Sequence, residues 1–144
     1  MTLFRWLTAW TDRLRSSRSA GARGEQAAVE HLRRQGYRIL GRNLRNRFGE
    51  IDVLAEAPDR RSLVIVEVKA AELDDPTTRG PGAARPEDHV NRAKQRKLAA
   101  LAQQLLRRYR LTDRPVRFDV IAVDLHPDQP PTVRHHIAAF ESPW

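Results

Sequence analysis

Three residues of this chain have types and a spacing that can do chemistry: Asp52, Glu67 and Lys69. Residues 50–56 (EIDVLAE) and 63–68 (LVIVEV) read as strands, separated by a turn-like stretch at 57–61. With the turn centred between Asp59 and Arg60, Asp52 faces Glu67, Glu50 faces Lys69 and Leu54 faces Ile65. Side chains alternate along a strand, so Asp52, Glu67 and Lys69 share one face while Val64, Val66 and Val68 point to the other. Two neighbouring carboxylates form a hard oxygen site of the kind that suits Mg²⁺ or Mn²⁺. Such an ion acidifies a bound water and offsets charge on a phosphodiester oxygen, and a lysine two residues on can hold that water. The competing reading of the same pattern is a cross-strand ion pair, with the carboxylates neutralised by Lys69 and nearby arginines.

Other elements must hold this hairpin in place. Residues 22–35 read as a helix, with Gly36 where a left-handed C-cap belongs. Val29 and Leu32 lie on one face, and Glu25 projects from that same apolar side, where an uncompensated carboxylate is costly. Residues 37–40 read as a short strand, 71–86 as a long Gly/Pro-rich loop, and 87–110 as an uninterrupted helix. Residues 116–125 and 133–140 are two further strands. The fold class is α/β, with a mixed central sheet flanked by helices. Residues 1–20 read as an amphipathic helix or tail, with Leu3, Leu7, Trp10 and Leu14 at helical spacing, and the domain proper spans 21–144.

Composition narrows the chemistry. At 144 residues the chain suits one domain with its own core. It has no cysteine, which excludes disulfides, thiolate metal sites and thiol nucleophiles. No apolar run reaches the roughly 18 residues of a membrane span, and the expected location is the cytoplasm. The net charge is +8 and the pI near 11.1, a balance that attracts polyanions and above all nucleic acid. Only three of the 26 basic residues are lysine, at 69, 94 and 97. Lysine is a compact cation whose proton affinity the surroundings can tune, unlike that of the ever-charged arginine.

The runs Arg23-Gly24-Glu25-x-x-Ala28 and Gly36-Tyr37-x-Ile39-Leu40-x-x-Asn43 resemble the opening of the YraN family of bacterial proteins. Gly49-Glu50-Ile51-Asp52 followed by Val66-Glu67-Val68-Lys69 resembles that family's central signature. Lys94-Gln95-x-Lys97-Leu98, Arg117-Phe118-Asp119-Val120 and Ala139-Phe140 match in order, so the resemblance covers about residues 20–141. It implies a restriction-endonuclease-like core similar to Holliday-junction resolvases and other PD-(D/E)xK nucleases, with DNA as partner and a homodimer as the assembly. It further implies that Asp52 and Glu67, helped by the Val68 carbonyl, bind metal, that Lys69 handles the attacking water, and that Glu25 is the acidic residue of the first helix. Ala70-Ala71 depart from the family pattern, which carries a hydroxyl or basic residue there.

The remaining signals are weaker. Lys94 and Lys97, among the arginines of the long helix, read either as a solvated face or as a phosphate track, and Gln95 is placed to reach the site. His135 and His136 are adjacent, project to opposite sides of a strand, and read as structural. Asp119 is expected to pair with Arg117 or another nearby arginine. The alternative to an endonuclease is a nucleic-acid-binding or assembly module on the same fold. An adaptor for acidic proteins is a third reading.

Overall fold

The computed structural model describes residues 11–12, 20–73 and 90–141. In chain order the elements are β1 (Thr11–Asp12), α1 (Ala20–Arg34), β2 (Arg38–Asn46), β3 (Gly49–Glu56), β4 (Leu63–Glu72), α2 (Arg92–Arg108), β5 (Val116–Leu125) and β6 (Thr132–Phe140). The strands form one six-stranded sheet in the order β1-β2-β3-β4-β5-β6. Neighbours are antiparallel except β4 and β5, which run parallel from Leu63↔Val116 to Glu72↔Leu125. A parallel pair needs a crossover, and α2 lies in it.

The two helices cover opposite faces. Ala28, Val29 and Leu32 of α1 join Val53, Ala55, Val64, Val66, Ile121 and Val123 in one cluster. Leu98, Leu101 and Leu105 of α2 pack with Leu40, Leu44, Ile51, Leu54, Leu63, Ile65 and Phe118 in the other. Each fully buried leucine contributes about 1.5–3 kcal/mol relative to exposure. The result is the mixed-sheet, helix-flanked architecture of a restriction-endonuclease-like core.

The β3–β4 hairpin has the expected register, with Val53↔Val66, Leu54↔Ile65, Ala55↔Val64 and Glu56↔Leu63. Its turn is locked by Asp59, whose carboxylate accepts the Arg61 and Ser62 N–H groups and the Ser62 hydroxyl. These bonds hold the Asp59 carboxyl down to about 2. Helix α1 ends as its spacing predicts, with Gly36 at φ +88° and the Tyr37 N–H closing on the Leu32 carbonyl.

Four boundaries differ from the sequence expectation. Strand β2 runs on to Asn46, because Gly41 and Asn43 (φ +50°) disguise it as a loop while antiparallel pairing with β3 carries it through. Strand β4 continues through Ala71 and Glu72, which the Gly/Pro-rich stretch had claimed for a loop, since β5 supplies a parallel partner that far. The long helix starts at Arg92: Val90 lies outside it, and Asn91 caps it by accepting the Lys94 N–H. Thr11–Asp12, expected in a helix or tail, pair with β2 as a short strand. The rest of 1–19, and residues 74–89, lie outside the described residues.

Candidate metal and nucleic-acid site

The site begins where the hairpin ladder stops. The β3–β4 pairing ends at Val53↔Val66, and Asp52 and Glu67 are the next residues on each strand. The Val68 N–H donates to Asp52 Oδ2 at 2.8 Å, so a carboxylate takes the place of a ladder carbonyl. Side-chain alternation also breaks here. Ile51 and Leu54 both belong to the α2-side cluster, whereas Val53 belongs to the α1 side. Asp52 sits inside that switch, which frees its side chain from the strict alternation the sequence implied.

Helix α1 brings the next group. A Cβ on Gly24 would lie 2.5 Å from the Ala70 Cβ, so glycine in the helix and a small residue on the strand together permit this close approach. This approach seats Glu25, 3% exposed, against the sheet. Carboxylate oxygens of Glu25, Glu50 and Asp52 all lie within 4.8 Å of one another, spacing that can hold a metal ion. Glu50 was expected merely to face Lys69, and the structure adds it to the acidic group.

Glu67 stands beside this group, 4% exposed. Its Oε1 meets Lys94 Nζ at 3.3 Å and Lys69 Nζ at 3.6 Å. Its Oε2 is buried and has no hydrogen-bond partner among the described residues. Burial holds the Asp52 carboxyl well above the ordinary carboxylate range, helped by the charges of Glu67, Glu25 and Glu50, while the Val68 N–H pulls the other way.

Cations edge the cluster. Arg45, directly across the β2–β3 ladder, reaches Glu50 at 2.9 Å. Lys94 turns from α2 onto Glu67, Lys97 is exposed to solvent, and Gln95 donates to the Val90 carbonyl at the helix start. The structure therefore brings Glu25, Asp52, Glu67, Lys69 and Lys94 together, leaves Lys97 outside, and ties Gln95 to the Val90 carbonyl just ahead of its helix. Glu50 and Arg45 escaped the sequence reading. The signal that could have found Arg45 was its place opposite Glu50 across the Arg47–Phe48 turn.

A second polar constellation lies elsewhere on the sheet. Asp119, fully buried, accepts from Arg117 through Nε and a terminal nitrogen, each at 2.8 Å, and from the Ala138 N–H at 3.0 Å. His135 Nε2 lies 2.7 Å from the same carboxylate, its Nδ1 is 3.2 Å from His31 Nε2, and Arg117 also donates to the Tyr37 hydroxyl. Burial raises the Asp119 carboxyl, but the His135, Arg117 and Ala138 hydrogen bonds outweigh it and leave it below its ordinary value. The Asp119–Arg117 pair and a structural His135 agree with the sequence reading.

Fold and site together define an α/β protein with a restriction-endonuclease-like core and a buried acidic cluster able to hold a cation. The sequence model of the uncharacterised protein family UPF0102 matches residues 24–123, and the chain belongs to that family. It is 42% identical to a UPF0102 protein of Pelobacter propionicus over 125 residues, covering 87% of this chain and 84% of the relative. It is 47% identical to UPF0102 protein STH1475 of Symbiobacterium thermophilum over 112 residues, 78% of this chain and 87% of that one. No helix among the described residues is long and apolar enough to cross a membrane.

Proposed function

We propose that this protein is a divalent-metal-dependent endonuclease acting on DNA in the cytoplasm. The observation that carries the reading is the carboxylate cluster of Glu25, Glu50 and Asp52 at the end of the β3–β4 ladder, with Glu67 and its two lysines beside it. The carboxylates of Glu25, Glu50 and Asp52, within 4.8 Å of one another and with Glu67 beside them, repel one another, and a divalent cation relieves that repulsion. The donor set fits Mg²⁺ or Mn²⁺: every donor is a hard oxygen, and Glu67 Oε2 is buried without a hydrogen-bond partner among the described residues. Asp52, Glu67, Glu25 and Glu50 would hold the ion. When bound, it would supply Lewis-acid stabilisation of the phosphodiester and acidify a water.

The protein's own groups do the remaining work. The Val68 N–H holds the Asp52 carboxylate in one orientation. Lys69 and Lys94, anchored on Glu67 Oε1, direct two ammonium groups at the site's edge. There Lys69 orients the attacking water, and both offset negative charge that builds on the phosphate oxygens. The net charge of +8 draws the polyanion in, and exposed Lys97 extends the contact to a neighbouring phosphate. The resolvase resemblance makes a pair of copies acting on two strands the natural assembly.

The test is cleavage of labelled single-stranded, duplex and branched DNA in Mn²⁺ or Mg²⁺, alongside calorimetric metal binding. Asp52→Asn is expected to lower cleavage at least about a hundredfold while preserving DNA affinity, as loss of a group acting on the transition state does. Wild-type protein that binds DNA but takes up no metal, with or without DNA, would sink the endonuclease reading and leave a binding module.

A further inference from the structure

The turn between β2 and β3 carries an apolar ring in full view of solvent. Phe48 is 53% exposed, and among the described residues only Ile137 is another large hydrophobic so exposed. The two are not parts of one patch. Phe48 sits on the β2–β3 turn, whereas Ile137 is in β6, separated from β3 in the sheet by β4 and β5. A protein-docking surface needs a contiguous apolar area, which a single ring does not make.

This ring is held out. The Asn46 side chain accepts the Phe48 N–H at 2.8 Å and donates to Gln104 of α2 at 3.3 Å. Gly49 packs so closely that a Cβ there would come 2.9 Å from Leu101 Cδ1. The turn is thus pinned to α2 on both sides of Phe48. The Arg47 guanidinium lies over the Phe48 ring, 4.7 Å from its centroid, so flat apolar surface and positive charge are presented together. Glu50 is two residues away and Asp52 four, which at the strand rise is about 7 and about 13 Å.

We propose that Phe48, with Arg47, is a stacking platform for an unpaired base of a nucleic acid whose backbone lies at the acidic site. The substrate class is then single-stranded DNA, or duplex DNA with unpaired bases next to the bond to be cut. A duplex hides its base faces within the stack, so a fixed exposed ring has a use only where a base is free. The Arg47 guanidinium against the ring and the net charge of +8 favour a polyanion as the occupant. The inference rests on the nucleic-acid reading above and narrows it.

The test compares affinities in metal-free buffer for a single-stranded oligodeoxynucleotide and for an abasic strand of equal length. Wild-type protein is expected to prefer the strand with bases. Phe48→Ala and the apolar but non-aromatic Phe48→Leu are expected to lose about tenfold on that strand and nothing on the abasic one. Phe48→Trp is expected to retain wild-type affinity and to quench a 2-aminopurine placed in the strand. Equal wild-type binding of both strands, or equal losses on both in the variants, overturns the platform while the nucleic-acid reading stands. No wild-type binding of either strand overturns the platform, and if duplex and branched DNA also fail to bind, the nucleic-acid reading falls with it. A change in molecular mass by light scattering in Phe48→Ala, with strand affinity unaltered, assigns the ring to an interface between copies and overturns the platform.

Discussion

Asp52 and Asp119 are the same residue type, both buried in the same sheet, and their surroundings push them in opposite directions. Asp119 accepts a two-pronged arginine, a backbone N–H and a histidine, and its carboxyl is held below the ordinary value despite burial. Asp52 accepts a backbone N–H but shares its space with Glu25, Glu50 and Glu67, and its carboxyl is driven up. A buried charge with complete hydrogen bonding is a structural part, because the fold supplies what water would have supplied. Carboxylates gathered beside their like cost folding energy, a cost that a cation held among them would offset. The contrast separates brace from site more sharply than burial alone, since both residues are buried.

The largest expected effect tests that contrast directly. Asp119→Ala leaves the half-buried Arg117 and the buried His135 ring without their carboxylate and is expected to cost about 3–5 kcal/mol in denaturant unfolding. Asp52→Asn keeps an acceptor for the Val68 N–H while removing a like charge. Without metal it is expected to be neutral or to stabilise by on the order of 1 kcal/mol, each pKa unit by which a carboxyl is raised corresponding to about 1.4 kcal/mol. A loss of several kcal/mol in both variants would erase the distinction.

Metal and pH sharpen it further. Mn²⁺ at a hundredfold excess over its Kd is expected to stabilise wild-type protein by about 2.7 kcal/mol, raising Tm by about 5–10 °C, and to leave Asp52→Asn unchanged. A raised carboxyl means that the folded state binds the proton more tightly, so the ionised Asp52 penalises folding above its folded pKa and that penalty fades as pH falls through it. The metal-free stability gap between wild type and Asp52→Asn is therefore expected to close as pH is lowered from 8. Mn²⁺ stabilisation should shrink over the same range, because proton and metal compete for one carboxylate. Asp119 has the opposite sign. Its depressed carboxyl contributes stability that is complete above the ordinary value of 3.8 and lost as pH falls through its lower folded value. A wild-type/Asp52→Asn gap that stays constant across pH would contradict the assignment of Asp52.

The smallest expected effect lies on the surface. Lys97→Ala should leave unfolding stability within about 0.5 kcal/mol of wild type, weaken DNA binding evenly across sequences, and reduce the salt slope by about 1. Lys94→Ala differs from it, because Lys94 touches Glu67 and is expected to lower cleavage as well as binding. Cleavage rates of the two variants measured at saturating DNA check that difference.

Much of the frame was legible before any coordinates. The β3–β4 register followed from centring the turn between Asp59 and Arg60, a choice that LVIVEV, apolar on both faces, does not fix by itself because a one-residue slip swaps apolar for apolar. Glu25 was legible as a carboxylate on an apolar helix face, and Asp119 as a partner for Arg117. Strand β2 and the end of β4 were not, because Gly41, Asn43, Ala71 and Glu72 have little strand propensity of their own and are carried by ladders to β3 and β5.

What the sequence determined by itself was therefore local: the alternation up to Asp52, the turn, the Gly36 cap of α1, the basic surface, and three residues in a pattern fit for metal and water. The tertiary structure decided who joins them. Only the close approach of Gly24 to Ala70 puts Glu25 beside Asp52, and only the seating of α2 brings Lys94 to Glu67. Only the break in alternation at Asp52 lets its carboxylate take the Val68 N–H. The reason is physical. Periodicity records which face of its own element a side chain uses, whereas a charge cluster depends on distances between elements, and those are set by how closely backbones can pack.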